Sequence, residues 1–194
     1  MKIPKAILFD LDGVLLDTEP LHGKAWQETA SFFGKDLSGD QLKILQGRRR
    51  EDCAKQVLEW VKKPINLQNI LEIHQPISKA FLKNAKPMPG AEELIRWCHR
   101  KKLPTALVTS SSSKSIKIKT SPHPWLELFS TKVQGDDPFL LEGKPAPDPY
   151  LLGAKKLSVK AKYCWALEDS ISGTNSALKA GCKVWVLKNE SNKD

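Results

Sequence analysis

Two aspartates separated by a single residue, Asp10 and Asp12, stand at the end of a short apolar run and are followed at once by Gly13. Carboxylates at that spacing can converge on one cavity, and the glycine permits the tight turn that follows. Such a pair has two chemical uses. It can hold a hard divalent cation through oxygen, or it can divide the labour of nucleophile and general acid/base. A DxD alone is common in metal-binding loops, but further groups fall at the ends of later apolar runs. Thr109 and Ser110 close the second run and open a serine stretch that includes Ser111 and continues to Ser113. Their hydroxyls and backbone amides can hold phosphate oxygens. Gly143-Lys144-Pro145-Ala146-Pro147-Asp148-Pro149 follows the third run. There the prolines fix the backbone, and Lys144 can neutralise both an aspartate and a phosphoryl group. Glu168-Asp169-Ser170 closes the fourth, a second acidic pair that would complete a magnesium site with Asp10. Together these groups supply what phosphoryl transfer needs.

The elements that must position these groups follow from the pattern. Short apolar runs at Lys5 to Phe9, Thr105 to Val108, Thr131 to Val133, Tyr163 to Leu167 and Lys183 to Leu187 read as buried strands. Helical patterns lie between them at Ala91 to Lys101, Lys114 to Thr120, Pro149 to Lys156 and Ile171 to Ala180, the last closed by Gly181. This alternation predicts an α/β fold, a Rossmann-like parallel sheet covered on both faces. Ligands bind outside the carboxyl ends of such strands, where all the groups above fall. The serine stretch also suits a plain helix start with serine as N-cap.

One interval breaks the alternation. Between Asp17 and Pro87 no strand is expected, and helices fit Pro20 to Phe33 with Gly34 as a stop, Gly39 to Leu45, Arg50 to Val61 and Leu67 to Ala85. Pro76 is expected to break or kink the last of these. The reading is an α-helical cap domain, residues 17–87, inserted into an α/β core of residues 1–16 and 88–194. Asp17 and Thr18 are expected to cap the first cap helix, and Lys86 to Gly90 to form a stiff return linker.

The 194 residues and 40% apolar content provide one solid core with a modest insert. No run of eighteen apolar residues occurs, and the N-terminal residues do not read as a cleavable signal, so no membrane partner and a cytoplasmic location are expected. Cys53, Cys98, Cys164 and Cys182 show no zinc-ligand spacing and are expected to be reduced, mostly buried thiols. The net charge of +9 comes from lysines dispersed along the chain; the one tight arginine run is Arg48 to Arg50. A solvated basic surface is therefore preferred to a nucleic-acid face, and a positive field can also steer small phosphate esters into a cleft.

In DxDGxxxDTE, the Thr109 hydroxyl position, GKPxPDP and EDSxxG, in that order, the chain resembles the haloacid dehalogenase superfamily, in its branch with a helical cap after the first strand. The resemblance implies that Asp10 attacks phosphorus to form an aspartyl-phosphate. It implies that Asp12 protonates the leaving oxygen and then activates water. Asp10, the carbonyl of Asp12 and Asp169 would hold Mg2+, with Glu168 bound or close by. Thr109 would bind the transferring group, and Lys144 would bridge it to Asp10.

The cap segment is similar to that of the β-phosphoglucomutases, which points to His22, Trp26 and Arg50, within Gly47-Arg48-Arg49-Arg50-Glu51-Asp52, as substrate contacts beside Ser110 and Ser111. Arg50 would grip a distal anion. Each also suits a bland role as a surface basic residue or a cap-core aromatic. Lys119 to Ala154, with Gly135-Asp136-Asp137, is similar instead to the pseudouridine-5'-phosphatases. The preferred expectation is a Mg2+-dependent phosphatase acting on small phosphorylated metabolites, sugar phosphates or nucleotide monophosphates, as a monomer or weak dimer. A hexose-phosphate mutase and a non-catalytic basic binding protein are the alternatives. The chain ends at Asp194, soon after the fifth strand, where the resemblance leads one to expect another helix. The expectation is a less covered sheet edge, or one completed by a partner.

Overall fold

The computed structural model describes residues 3–45, 48 and 50–188. A five-stranded parallel sheet is built from β1 (Ala6–Phe9), β4 (Thr105–Val108), β5 (Thr131–Val133), β6 (Cys164–Glu168) and β7 (Lys183–Val186), in the order β5-β4-β1-β6-β7. Every residue of β1 and β4 is buried, as a continuous apolar run requires of a strand covered on both faces. The α/β class expected from the alternation is the one observed. With β1 central, the registers Phe9 to Leu107 and Phe9 to Leu167 bring the carboxyl ends of β1, β4 and β6 side by side.

Connecting helices α5 (Ala91–Arg100), α6 (Ser113–Thr120), α7 (Asp148–Lys156) and α8 (Ile171–Lys179) separate the strands. One core cluster joins Leu8, Ala106, Val108 and Ala166 of the sheet to Tyr150 and Ala154 of α7 and Ala177 of α8. Gly153 lets α7 come close, since a Cβ there would lie 3.0 Å from Val108 Cγ2. Phe129 meets Phe9 edge-on at 5.6 Å, the T-shaped geometry favoured by aromatic quadrupoles.

The chain forms two compact units, Met1–Asp17 with Lys86–Asp194, and Thr18–Ala85. The second holds α1 (Glu19–Phe32), α2 (Gly39–Leu45), α3 (Arg50–Val61) and α4 (Leu67–Leu82) around a core that includes Trp26, Ala30, Leu45, Cys53, Ala54, Val57 and Ile70. Burying a side chain such as Ile70 contributes about 1.5–3 kcal/mol relative to leaving it exposed. The break expected at Pro76 does not occur, for α4 runs through it to Leu82. Asn66 starts α4 with a reciprocal box, its side chain accepting from the Asn69 amide while Asn69 accepts from the Asn66 amide, each at 3.0 Å. That anchors the first turn.

Two further expectations are corrected. Thr18 precedes α1, but with helical dihedrals and no side-chain capping bond; a true N-cap needs an extended backbone to aim its oxygen at the free amides. The return linker begins instead as a strand, Lys86–Pro87 (β3), paired antiparallel with Leu16–Asp17 (β2). Two residues are too few to leave an alternation in the sequence. All four cysteines are buried and unpaired. Among the described residues, no helix is long and apolar enough to cross a membrane.

Candidate active site

Asp10 follows β1 directly, and its backbone amide donates to the Leu167 carbonyl of the neighbouring strand at 3.0 Å. The chain then turns sharply through Gly13, whose φ of 78° suits glycine. The Gly13 amide donates to the Leu16 carbonyl at 2.8 Å, closing the turn that carries Asp12. Thr109 follows β4, and its amide donates to the Val133 carbonyl at 3.0 Å. Lys144 lies in the proline-rich loop before α7, with a cis bond to Pro145. Glu168 ends β6, and Asp169 and Ser170 follow it into α8.

These placements converge. The Lys144 ammonium donates to Asp10 Oδ1 and Glu168 Oε1 at 2.5 Å each, and to the Val108 carbonyl at 3.1 Å. Tyr150 donates its hydroxyl to Glu168 Oε1 at 2.7 Å. Glu168 Oε2 accepts from the amides of Asp169 and Ser170 and from the Ser170 hydroxyl at 3.1–3.3 Å. Gly173 is required by this packing, because a Cβ there would lie 1.7 Å from Glu168 Oε1. Gly135 serves the serine loop in the same way, since its Cβ would fall 2.1 Å from the Ser110 carbonyl oxygen.

Burial pushes the Asp10 carboxyl well above the usual range; Lys144 opposes this, and Glu168, Asp12 and Asp169 add to it. Burial by itself would lower the Lys144 ammonium, but the carboxylates of Asp10 and Glu168 reverse the sign and raise it. The pocket therefore holds more negative charge than one lysine offsets, an arrangement that favours a bound cation. Asp10, Glu168 and Asp169 each offer a carboxylate oxygen within 4.8 Å of one another. An all-oxygen donor set of this kind suits a hard divalent metal.

Asp12 is placed differently from the other acids. Both its oxygens accept from the Lys119 ammonium at 2.6 Å, and Oδ2 also accepts from Ser111 Oγ at 3.1 Å. Its carboxylate does not belong to the three-acid cluster, so any part in a metal site falls to its carbonyl. Thr109 is buried, and its Oγ1 accepts from the Ser111 amide at 3.0 Å. Ser110 is exposed, and Ser112 caps α6 by accepting from the Ser115 amide. Asp136 fastens the same helix start, accepting from the amide and hydroxyl of Ser113 at 2.8 and 2.7 Å.

The cap candidates lie in the other unit. Trp26 is 4% exposed and stacks on His74 with centroids 3.6 Å apart, so its ring serves the cap core. His22 is half-buried on α1, and Arg50 is exposed at the start of α3. Gly47 and Arg49 lie outside the described residues. Sequence reasoning missed Lys119 and Tyr150. Lys119 carried a signal, for it follows Ile116 by three residues on a helix and so shares its inward face.

Fold and site together define an α/β protein with a parallel sheet and a carboxylate-rich cluster at the carboxyl ends of its strands. Residues 7–187 match the haloacid dehalogenase-like hydrolase family, to which the chain belongs. It is 37% identical to a probable pseudouridine-5'-phosphatase of Saccharomyces cerevisiae, an alignment covering 94% of this chain and 82% of that one. Among solved structures, it is similar to a haloacid dehalogenase hydrolase, family IA, variant 3, of Entamoeba histolytica. The TM-score is 0.84 at 30% identity, covering 97% of this chain and 85% of that one. A putative β-phosphoglucomutase of Thermotoga maritima is similar with a TM-score of 0.78 at 27% identity, covering 96% and 88%.

Proposed function

We propose that the protein is a Mg2+-dependent phosphatase that hydrolyses small phosphate monoesters, sugar phosphates or nucleotide monophosphates, through an aspartyl-phosphate on Asp10. The observation that carries this reading is the buried Asp10–Lys144–Glu168 chain, with a second carboxylate, Asp12, two residues along the same loop. Lys144 orients Asp10 and lowers the charge that an approaching phosphoryl group must meet. Asp10 attacks phosphorus; Asp12 gives a proton to the leaving oxygen and later takes one from water. Thr109 accepts from the Ser111 amide through its oxygen, so its hydroxyl hydrogen can go to a phosphoryl oxygen. Asp10, Asp169 and the Asp12 carbonyl would hold Mg2+, with Glu168 close by. The ion would supply charge neutralisation at the transferring group. In the cap, the exposed guanidinium of Arg50 is proposed to contribute to anion recognition.

The test is phosphate release from a panel of sugar phosphates and nucleotide monophosphates, with and without Mg2+. Release should need the metal and disappear in Asp10→Asn. Release that persists in that variant would remove Asp10 as nucleophile. Conversion of β-glucose 1-phosphate to glucose 6-phosphate without net release would replace hydrolysis by mutase chemistry.

A further inference from the structure

Lys119 is fully buried in α6, far from the GKPxPDP lysine in sequence, and belongs to none of the motifs that define the site. A buried ammonium is costly unless its charge is met and its donors are used. Here both conditions hold, and they hold at one residue of the phosphoryl-transfer loop. An ammonium has three donors, and Lys119 places them on Asp12 Oδ1 and Oδ2, at 2.6 Å each, and on Ser111 Oγ, at 2.7 Å. Ser111 in turn donates its hydroxyl to Asp12 Oδ2 at 3.1 Å. The three side chains close a ring that joins the loop after β1, the loop after β4 and the last turn of α6.

The torsion that turns a carboxylate about its terminal bond is broad when nothing restrains it. A proton donor and acceptor that must serve a leaving oxygen and then a water needs its oxygens in one place for both. Lys119, from α6, and Ser111, from the loop after β4, hold both Asp12 oxygens. We propose that Lys119, acting with Ser111, is a positioning residue that fixes the Asp12 carboxylate for proton transfer. This rests on the phosphatase reading above.

The experiment compares wild type with Lys119→Met, Lys119→Arg and Ser111→Ala on two substrates. Glycerol phosphate has a leaving group that must be protonated; p-nitrophenyl phosphate has one that need not be. Phosphoenzyme formation is followed in a single turnover and release at steady state, after thermal unfolding has shown which variants fold. Folded Lys119→Met should form phosphoenzyme from glycerol phosphate about 100-fold more slowly than wild type, in the range that general acid–base catalysis spans. With p-nitrophenyl phosphate the loss in this step should be under about tenfold, with KM for both substrates near wild type. In an Asp12→Ala background, Lys119→Met should add no further loss, since a residue acting only through Asp12 has nothing left to position. Ser111→Ala should show the same leaving-group pattern at smaller amplitude, and it carries the test if Lys119→Met does not fold. Equal losses of phosphoenzyme formation on both substrates, or wild-type turnover in a folded variant, would overturn the proposal while leaving the phosphatase reading intact. A wild-type protein that releases phosphate neither from these two substrates nor from the sugar phosphates and nucleotide monophosphates of the panel would overturn both.

Discussion

Glu168 shows how much of the site depends on single atoms. Its Oε1 accepts from Lys144 and Tyr150, and its Oε2 from two amides and a hydroxyl. Hydrogen bonds to a charged group contribute about 1.5–3 kcal/mol each, so this carboxylate cannot move cheaply. Gly173→Ala would put a methyl group 1.7 Å from Oε1 and force it to move. We expect a loss of about 3 kcal/mol, equivalent to breaking one or two of these bonds, together with a large fall in phosphate release as Lys144 loses its second anchor. Urea unfolding and steady-state assay of the variant measure both; a variant of unchanged stability would show that the helix start, rather than Glu168, yields. At this scale the acids were legible in the sequence because each stands at the end of an apolar run, where the topology must gather them. Of Lys119 and Tyr150, only the inward face of Lys119 was legible, from its spacing to Ile116. Which acid each meets was not, because those contacts exist only once α6 and α7 pack on the sheet.

Among the elements, α1 and α4 of the cap are coupled by a buried histidine. Thr29 Oγ1 donates to the Ala25 carbonyl at 2.7 Å, so toward His74 Nδ1, 3.0 Å away, it acts as acceptor, and the ring is neutral with its hydrogen on Nδ1. Burial, and then the charges of His22 and Arg50, lower the His74 pKa from 6.5 to about 3. Between these values the unfolded chain binds a proton that the folded cap does not, so stability is complete above pH 6.5 and falls as the pH drops toward 3. From pH 7.5 to pH 5 the expected loss from this group is about 2 kcal/mol. Chemical unfolding of wild type and His74→Gln at the two pH values checks it. The difference between pH 7.5 and pH 5 should shrink by about that amount in the variant, and an unchanged difference would show that His74 is protonated in the folded cap. The helices themselves were legible from glycine stops, first-turn proline and apolar spacing. Pro76 does not interrupt α4: the local rule counts the missing amide but not the apolar face that holds the helix in place. The β2–β3 pair was missed because its pairing is set by the two crossings of one insert, which no local window contains.

At the scale of the molecule, the net charge of +9 was plain from composition, but composition gives no location for it. Much of it is exposed lysine, including Lys101, which precedes β4, and Lys160, which precedes β6. Both lie before the amino ends of their strands, whereas the site residues follow the carboxyl ends, so neither has a direct role in the chemistry. They can act only through the summed field, which raises the encounter rate of an anionic substrate and is screened beyond about 10 Å at 0.1 M salt. Reversing both, as Lys101→Glu with Lys160→Glu, removes four units of charge while leaving the pocket untouched. If the field steers phosphate esters, the double variant should lose about two- to fivefold in kcat/KM at low ionic strength, within the lower range of steering effects. The loss should vanish at 0.3 M salt, and kcat should not change at either. Steady-state kinetics at fixed Mg2+ across a salt series distinguishes the cases. A kcat/KM that ignores both salt and charge reversal would assign the excess lysine to solvation of the surface alone, with substrate capture set entirely by the groups at the strand ends.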